Sequence, residues 1–311
     1  MPTARPTAVP ASDHDLLRRE VGLVDRSERG KLRLTGAEAA EFLQGQVSND
    51  VEALTAGEGC YATLLDPKGR IRADLRVLRG SDWLRLDTEA AGLSALAQTV
   101  RMYSIGRDVR SEDETEALAI LSLVGPAARE VLDASPAERE HAWVEGEHGL
   151  YVATDLGVDV LCPAPAAAAV RTALGVREVG AEAAECVRIE SGRPRLGHEL
   201  DGSTIPQEAG LNDRAVSFTK GCYVGQETVA RLHYKGRPNR HLRGLRLSGP
   251  AHPGESIRLE ERELGRLGSI CVSPEHGPIA LALVRREAEP GDRVTVGESE
   301  LPAEVVALPF A

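Results

Sequence analysis

Between Lys220 and Glu227 the chain reads KGCYVGQE, an order of residue types that serves chemistry better than packing. Gly221 and Gly225 bracket Cys222 and Tyr223, Lys220 precedes them, and Gln226 and Glu227 follow. A cysteine reacts as its thiolate, and a neighbouring cation or a helix N-terminus lowers its pKa. The segment 223–232 has the composition to begin a helix, whose free N–H groups would face Cys222. The glycines permit positive φ or close approach to a ligand. The competing reading is a small buried hydrophobe, the usual fate of a free cysteine. Arg231, four residues past Glu227, is either a ligand contact or an ordinary i,i+4 partner on a helix surface.

Other polar candidates are sparser. Asn49 and Asp50 sit in a VSND loop, where polar residues carry function more often than in cores but also serve Asx turns. Lys68 and Arg70 suit an exposed turn. Tyr103 suits either a ligand or a helix end. His198, His233 and His241 have no metal-ligand spacing with any cysteine, and no Walker, GxSxG or HExxH motif occurs. No metal site is expected.

The elements that must position these residues follow from periodicity. KLRLTG (31–36) alternates as a strand, and Thr35 with Glu38 has capping-box spacing for a helix carrying Ala39, Phe42 and Leu43. The runs 60–67 and 71–78 read as strands joined at Pro67–Arg70, with a further hairpin at Arg79–Asp82. Leu93, Leu96, Ala97 and Val100 recur at helical spacing. A strand–helix–strand pattern is expected over 117–176, with a helix at PAAREVLD and another at 167–174 stopped by Gly175. Segment 180–191 is helical and ends at Gly192 and Pro194. Beyond residue 240, short alternating runs split by Gly and Pro describe a small β-barrel. The expected units are a flexible tail (1–17), a core of interleaved αβ lobes (18–240) and a C-terminal barrel (241–311).

Composition narrows the function classes. With 311 residues and 42% hydrophobic content, the chain can bury a sizeable core. A net charge of −11 argues against nonspecific nucleic-acid or anionic-membrane binding. The five cysteines are odd in number, dispersed and without a CxxC pair, which points to a reducing, cytoplasmic setting rather than a disulfide framework. No run approaches the roughly 20 apolar residues of a membrane span, and MPTARPTAVPASD has no secretory h-region.

KGCYVGQE followed by TVAR resembles the signature of the YgfZ-type folate-binding family. These proteins are tetrahydrofolate-binding relatives of the glycine-cleavage aminomethyltransferase (T-protein), linked to iron–sulfur cluster assembly and repair. FLQGQVSNDV (42–51), LLDPKGRIRADLRV (64–77), VRIESGRPRLGHELDGSTIPQEAGL (187–211) and GRLGSICVSPEHGPIALALV (265–284) resemble further parts of that family. The likeness spans nearly everything after residue 18. It implies an α+β fold of interleaved lobes plus the barrel, arranged as a ring in whose channel the folate and Cys222 meet.

The resemblance further implies tetrahydrofolate, or a one-carbon-substituted folate, as cofactor, and iron–sulfur proteins or assembly factors as partners. By the matching RxE context it gives Glu190 the pterin. Its site would gather Cys222 as reactive thiol with Asn49, Asp50, Asp74, Lys220, Tyr223, Gln226, Glu227 and Arg231 around the folate. Two departures from the transferase stand out: Ala73-Asp74 replaces paired acids on the matching strand, and Cys222 stands where the transferase motif has an acid. Folate binding is therefore expected with changed chemistry. The alternatives are a folate-dependent aminomethyltransferase or demethylase of a small amine, and a non-enzymatic folate sensor.

Overall fold

The computed structural model describes residues 9–311. Two antiparallel five-stranded sheets and a closed six-stranded barrel make up the fold. The first sheet has the order Gly59–Leu65, Ile71–Arg79, Trp83–Thr88, Gly30–Thr35, Arg110–Asp113. The second runs Gly22–Asp25, Leu118–Val124, Gly157–Pro163, Gly149–Thr154, Trp143–Gly146. The chain thus lays one strand in the second sheet, builds all of the first, and returns. This is the interleaved α+β architecture with a terminal barrel that the sequence predicts.

Alternation decides what each strand buries. In Ile71–Arg79, Ala73, Leu75 and Val77 are fully buried beneath the helix Ala90–Tyr103, which contributes Leu96 and Val100 to the same core. The opposite face of that strand carries Asp74 and Arg76, since neighbouring residues of a strand point to opposite faces. The second sheet packs Leu121, Leu123, Val158 and Val160 against Val170 and Leu174 of the helix Ala167–Leu174, which Gly175 ends at φ 62. In the barrel, which starts at Arg240, Leu245, Ile257, Val284, Val296 and Val305 fill the interior.

Three expectations require correction. Residues 1–8 of the supposed tail lie outside the described residues, but Ala11–Arg19 is an α-helix with His14 and Leu17 buried. Leu17 packs into the core shared with Val187 and Ile189, and that burial overrides the tail-like composition around it. The Thr35–Glu38 capping box does not form. Helix Ala39–Gln44 has no side-chain cap; the Glu38 carboxylate instead accepts a bond from the Asp108 amide at 2.6 Å. PAAREVLD forms only a short 3₁₀ turn, Pro126–Arg129, tied to Glu20 by the Ala127 amide.

The glycines of KGCYVGQE serve unequal ends. Gly225 adopts φ 85, and a Cβ there would stand 2.6 Å from the Asp66 carbonyl oxygen, so this loop is pressed against the turn at Asp66–Gly69. Gly221 has open space around it. Gly225→Ala should therefore lose about 1–3 kcal/mol of stability, while Gly221→Ala stays within about 0.5 kcal/mol of wild type. Urea denaturation of both variants checks this; equal midpoints would contradict the packing described.

Candidate functional site

The two sheets meet across a polar cavity of about 250 Å³. Tyr61, Asp74 and Arg76 enter it from the first sheet, Ser122 and Asp159 from the second, and Glu185 and Arg188 from the helix Ala181–Glu190. Arg29, Asp87, Glu89, Glu140, His141, Arg193, Arg195 and Arg214 are among the other polar residues of its lining.

Most of its charge is already paired. Arg76 donates to Asp87 at 2.6 Å and to Asp159 at 2.7 Å, and so ties one sheet to the other. Ser122 Oγ donates to the second oxygen of Asp159 at 2.6 Å. Arg29 holds Asp87 at 2.8 Å and Glu89 at 2.5 Å, and Arg195 also binds Glu89 at 2.8 Å. Burial works against charge on Asp87, but Arg76 and Arg29 outweigh it and hold its carboxyl at about 2. The Arg29 loop is itself locked by Lys31, a wholly buried side chain whose Nζ donates to the carbonyls of Ser27, Arg29 and Thr115. Arg214 pairs with Glu140 and lies over the Tyr61 ring at 5.4 Å.

Three groups are not fully satisfied: Arg76, whose buried Nη2 has no hydrogen-bond partner, Asp74 and His141. Asp74 accepts the Tyr61 hydroxyl at 2.6 Å on Oδ2, but its buried Oδ1 has no hydrogen-bond partner. Burial pushes this carboxyl up, opposed in part by the Tyr61 bond and the charge of Arg29. His141 has neither ring nitrogen hydrogen-bonded, although Glu140 Oε1 lies 3.4 Å from Nε2. Its backbone sits at φ 68, an uncommon conformation for a non-glycine residue and one found at functional sites. Burial, reinforced by Arg76, holds its imidazole down at about 3.

Of the residues singled out from sequence, Asp74 alone lines this cavity. Glu190 does not, because the helix Ala181–Glu190 turns Glu185 and Arg188 toward the cavity and Glu190 toward another face. There Glu190 binds His14 at 2.8 Å and Ser273 at 2.6 Å. Asn49 and Asp50 shape their own loop: Asn49 Nδ2 donates to the Tyr61 and Arg214 carbonyls, and Asp50 Oδ1 accepts from Gln44 and the Ala53 amide. Lys220 is buried and does not serve Cys222. Its Nζ donates to the carbonyls of Gln44, Val47 and Asn49, and burial brings its pKa down to about 8. Tyr223 packs with Leu65, Ile71 and Val229.

The helix of that motif starts at Gln226, not 223, and runs to Lys235. Glu227 and Arg231 are exposed on it, with no ion pair between them. Cys222 is exposed and outside the lining of this cavity. Tyr61, Arg76, His141, Glu185, Arg188 and Arg214 were missed. Only RIRADLRVL carried a trace of them: charges at 74 and 76 on a strand whose other face is wholly apolar.

A pair of interleaved sheets with a closed C-terminal barrel is the aminomethyltransferase fold. The crystal structure of glycine cleavage system aminomethyltransferase T from Bartonella henselae shares it at a TM-score of 0.87 and 24% identity, covering 99% of this chain and 91% of that one. Residues 4–148 match the GCVT N-terminal domain, and residues 240–311 match the glycine cleavage T-protein C-terminal barrel domain. The aminomethyltransferase of Rubrobacter xylanophilus is 30% identical over 318 residues, covering 96% of this chain and 85% of that protein. That of Prosthecochloris aestuarii is 29% identical over 283 residues, covering 84% and 77%. The chain belongs to the glycine cleavage T-protein family.

His141 supplies a pH test of this site. In the unfolded chain the imidazole takes up its proton near pH 6.5; in the fold it resists until about 3. Stability is thus full above pH 6.5 and falls as pH drops through that window, at up to about 1.4 kcal/mol per unit. Between pH 7 and pH 5, wild type should lose about 2 kcal/mol on this account, and His141→Asn should be spared that share. Equal losses in denaturation curves at the two pH values would refute the assignment.

Proposed function

We propose that this protein binds a reduced folate in the inter-sheet cavity and acts as a folate-dependent aminomethyltransferase-like enzyme on a small aminomethyl donor. The observation that carries this reading is the unpartnered, buried Oδ1 of Asp74 in a chain of the T-protein family. An orphan acceptor in a buried site costs stability unless a ligand donor satisfies it. A pterin offers such donors on its amino-pyrimidine edge, and the arginines at 193 and 195, part-exposed in the lining, suit the carboxylates of a glutamyl tail. Arg214 over Tyr61 gives the cavity a flat, polarisable wall.

Bound tetrahydrofolate supplies nitrogens that accept the one-carbon unit. The protein's part is to orient that acceptor and exclude water. Asp74, with one oxygen fixed by the Tyr61 hydroxyl, would hold the pterin ring by its donor edge and so set the reacting nitrogens in place. In aminomethyl transfer the bond between the carbon and its carrier breaks, ammonia leaves, and the carbon is bonded to the folate at an unchanged oxidation level, so no electron acceptor is needed.

The loss of an acid at position 73 does not weaken this reading. Ala73 is fully buried in the apolar core on the far side of its strand, so an acid there would not face the cavity.

A second reading, a YgfZ-type accessory role for iron–sulfur proteins, draws on one observation: Cys222 is a free, exposed thiol in the motif that carries that resemblance. In this arrangement the thiol would meet a partner protein at the surface rather than the folate. Cys222→Ala should then abolish support of a cluster-dependent enzyme and leave folate affinity within about twofold; unimpaired support would end the proposal.

Calorimetry with tetrahydrofolate tests the main reading. Asp74→Asn keeps the side-chain shape but removes the carboxylate, and should weaken binding at least about tenfold, the worth of one charge-assisted hydrogen bond. Gln226→Ala, on the surface helix, should bind as wild type does. Absence of folate binding by wild type, or unaltered affinity in Asp74→Asn, would overturn the proposal.

A further inference from the structure

A second polar cluster, independent of the cavity, lies where the N-terminal helix, the helix Ala181–Glu190 and the barrel meet. Cys186 and Glu190 stand one turn apart on one face of the middle helix. Cys271 and Ser273 alternate onto the face of the barrel strand Arg262–Ser273 that packs against the helix Ala181–Glu190, away from the barrel interior. His14 comes down from the helix Ala11–Arg19. All five side chains are at most 5% exposed.

His14 Nε2, Cys186 Sγ and a Glu190 carboxylate oxygen lie within 4.8 Å of one another. Within that set His14 Nε2 is 2.8 Å from Glu190 Oε1, and Cys186 Sγ is 3.6 Å from the same oxygen. The Cys271 sulfur stands 3.0 Å from that of Cys186.

We propose that His14, Cys186, Glu190 and Cys271 form a binding site for one divalent transition-metal ion of the zinc class. Two sulfurs, an imidazole nitrogen and a carboxylate oxygen are the donor types of tetrahedral zinc sites, at bond lengths of about 2.0–2.3 Å. Such bonds put sulfur and oxygen ligands about 3.5 Å apart and two sulfurs about 3.8 Å apart. The Cys186–oxygen distance already has that value. The two sulfurs need to part by less than an ångström as the Cys271 side chain turns toward the group formed by His14, Cys186 and Glu190, and a disulfide would require them to close to about 2.0 Å.

Binding would replace the two thiol protons, which leave to solvent, with two metal–sulfur bonds. The ion, two thiolates and one carboxylate together carry a single negative charge. Arg18, whose Nε is 4.0 Å from Glu190 Oε2, provides the opposite charge at the rim. Ser273 Oγ donates to Glu190 Oε1 at 2.6 Å and would orient the carboxylate as an outer partner. Val187, Ile189, Ile279 and Leu281 surround the cluster, and a dry setting of this kind admits charge only when it is paired or bound to metal. An ion here would fasten three segments that are remote in sequence.

The test uses the full chain carrying Cys222→Ser, so that the exposed thiol takes no part. After anaerobic reduction and removal of metal with a chelator, Co²⁺ is titrated in. One equivalent should bind, with a near-ultraviolet thiolate-to-cobalt band and visible bands of tetrahedral Co²⁺, both bleached by Zn²⁺. Cys186→Ser and His14→Gln should each weaken the site about 100-fold or more and alter the visible bands. Far-UV circular dichroism confirms folding, and His14→Gln, on the terminal helix, keeps the test decisive if Cys186→Ser does not fold. The proposal fails if fully reduced protein gives no thiolate–cobalt band, or if the bands survive unchanged in both variants. It also fails if Cys186 and Cys271 are joined in the isolated protein, about 2 Da lighter, and take up no metal once reduced.

Discussion

The Arg76 guanidinium is the pin of this molecule. It is buried between two sheets and holds a carboxylate of each, Asp87 on one side and Asp159 on the other. A cation in that position is tolerable only with both partners in place. Removing one partner of a buried pair leaves an uncompensated charge worth about 3–5 kcal/mol. The two sheets are therefore not free to choose their separation, and the cavity between them has walls fixed to within a hydrogen bond. Everything polar in the cavity inherits this rigidity: Arg29 and Arg195 are aligned through Asp87 and Glu89, and Asp74 stands beside the pin on the same strand face.

The same network explains how the cavity can be lined by so many charges. Its arginines and most of its acids cancel in pairs, so the field inside is set by what is left over. That remainder is an oxygen of Asp74, one nitrogen of Arg76 and the neutral ring of His141. These unspent groups can bond a ligand without breaking the network, while the paired ones chiefly hold shape. Such preorganisation is how a polar site avoids paying for reorganisation when a substrate enters.

How much of this could be read from the sequence depends on how local the signal is. Strand alternation and turn chemistry located the hairpin at Pro67–Arg70 and the helices at 90–103 and 181–190, because those patterns need only neighbouring residues. The site depends on distant ones. Arg76 meets Asp159 across 83 positions, and nothing in either neighbourhood announces it. KGCYVGQE attracted attention because its residue types are chemically loaded. In the fold, Lys220 is spent on three carbonyls and Gly225 on the Asp66 turn, so much of what looked like chemistry there is architecture. Glu190 shows a subtler limit: a helix turns its residues by about 100° each, and Glu185 and Glu190 face different neighbours. Only tertiary packing decides which of the two looks into the cavity.

Interleaving has a consequence for how the chain is made. The strand Gly22–Asp25 pairs with Leu121–Val124, and between them lies the whole of the other sheet. On the ribosome this early segment must wait, with its ladder hydrogen bonds unmet, until nearly a hundred further residues have emerged. An apolar strand left open for that long invites pairing with the wrong chain. The short span of Gly22–Asp25 and the charged stretch Arg26–Arg29 directly after it limit that exposure during synthesis.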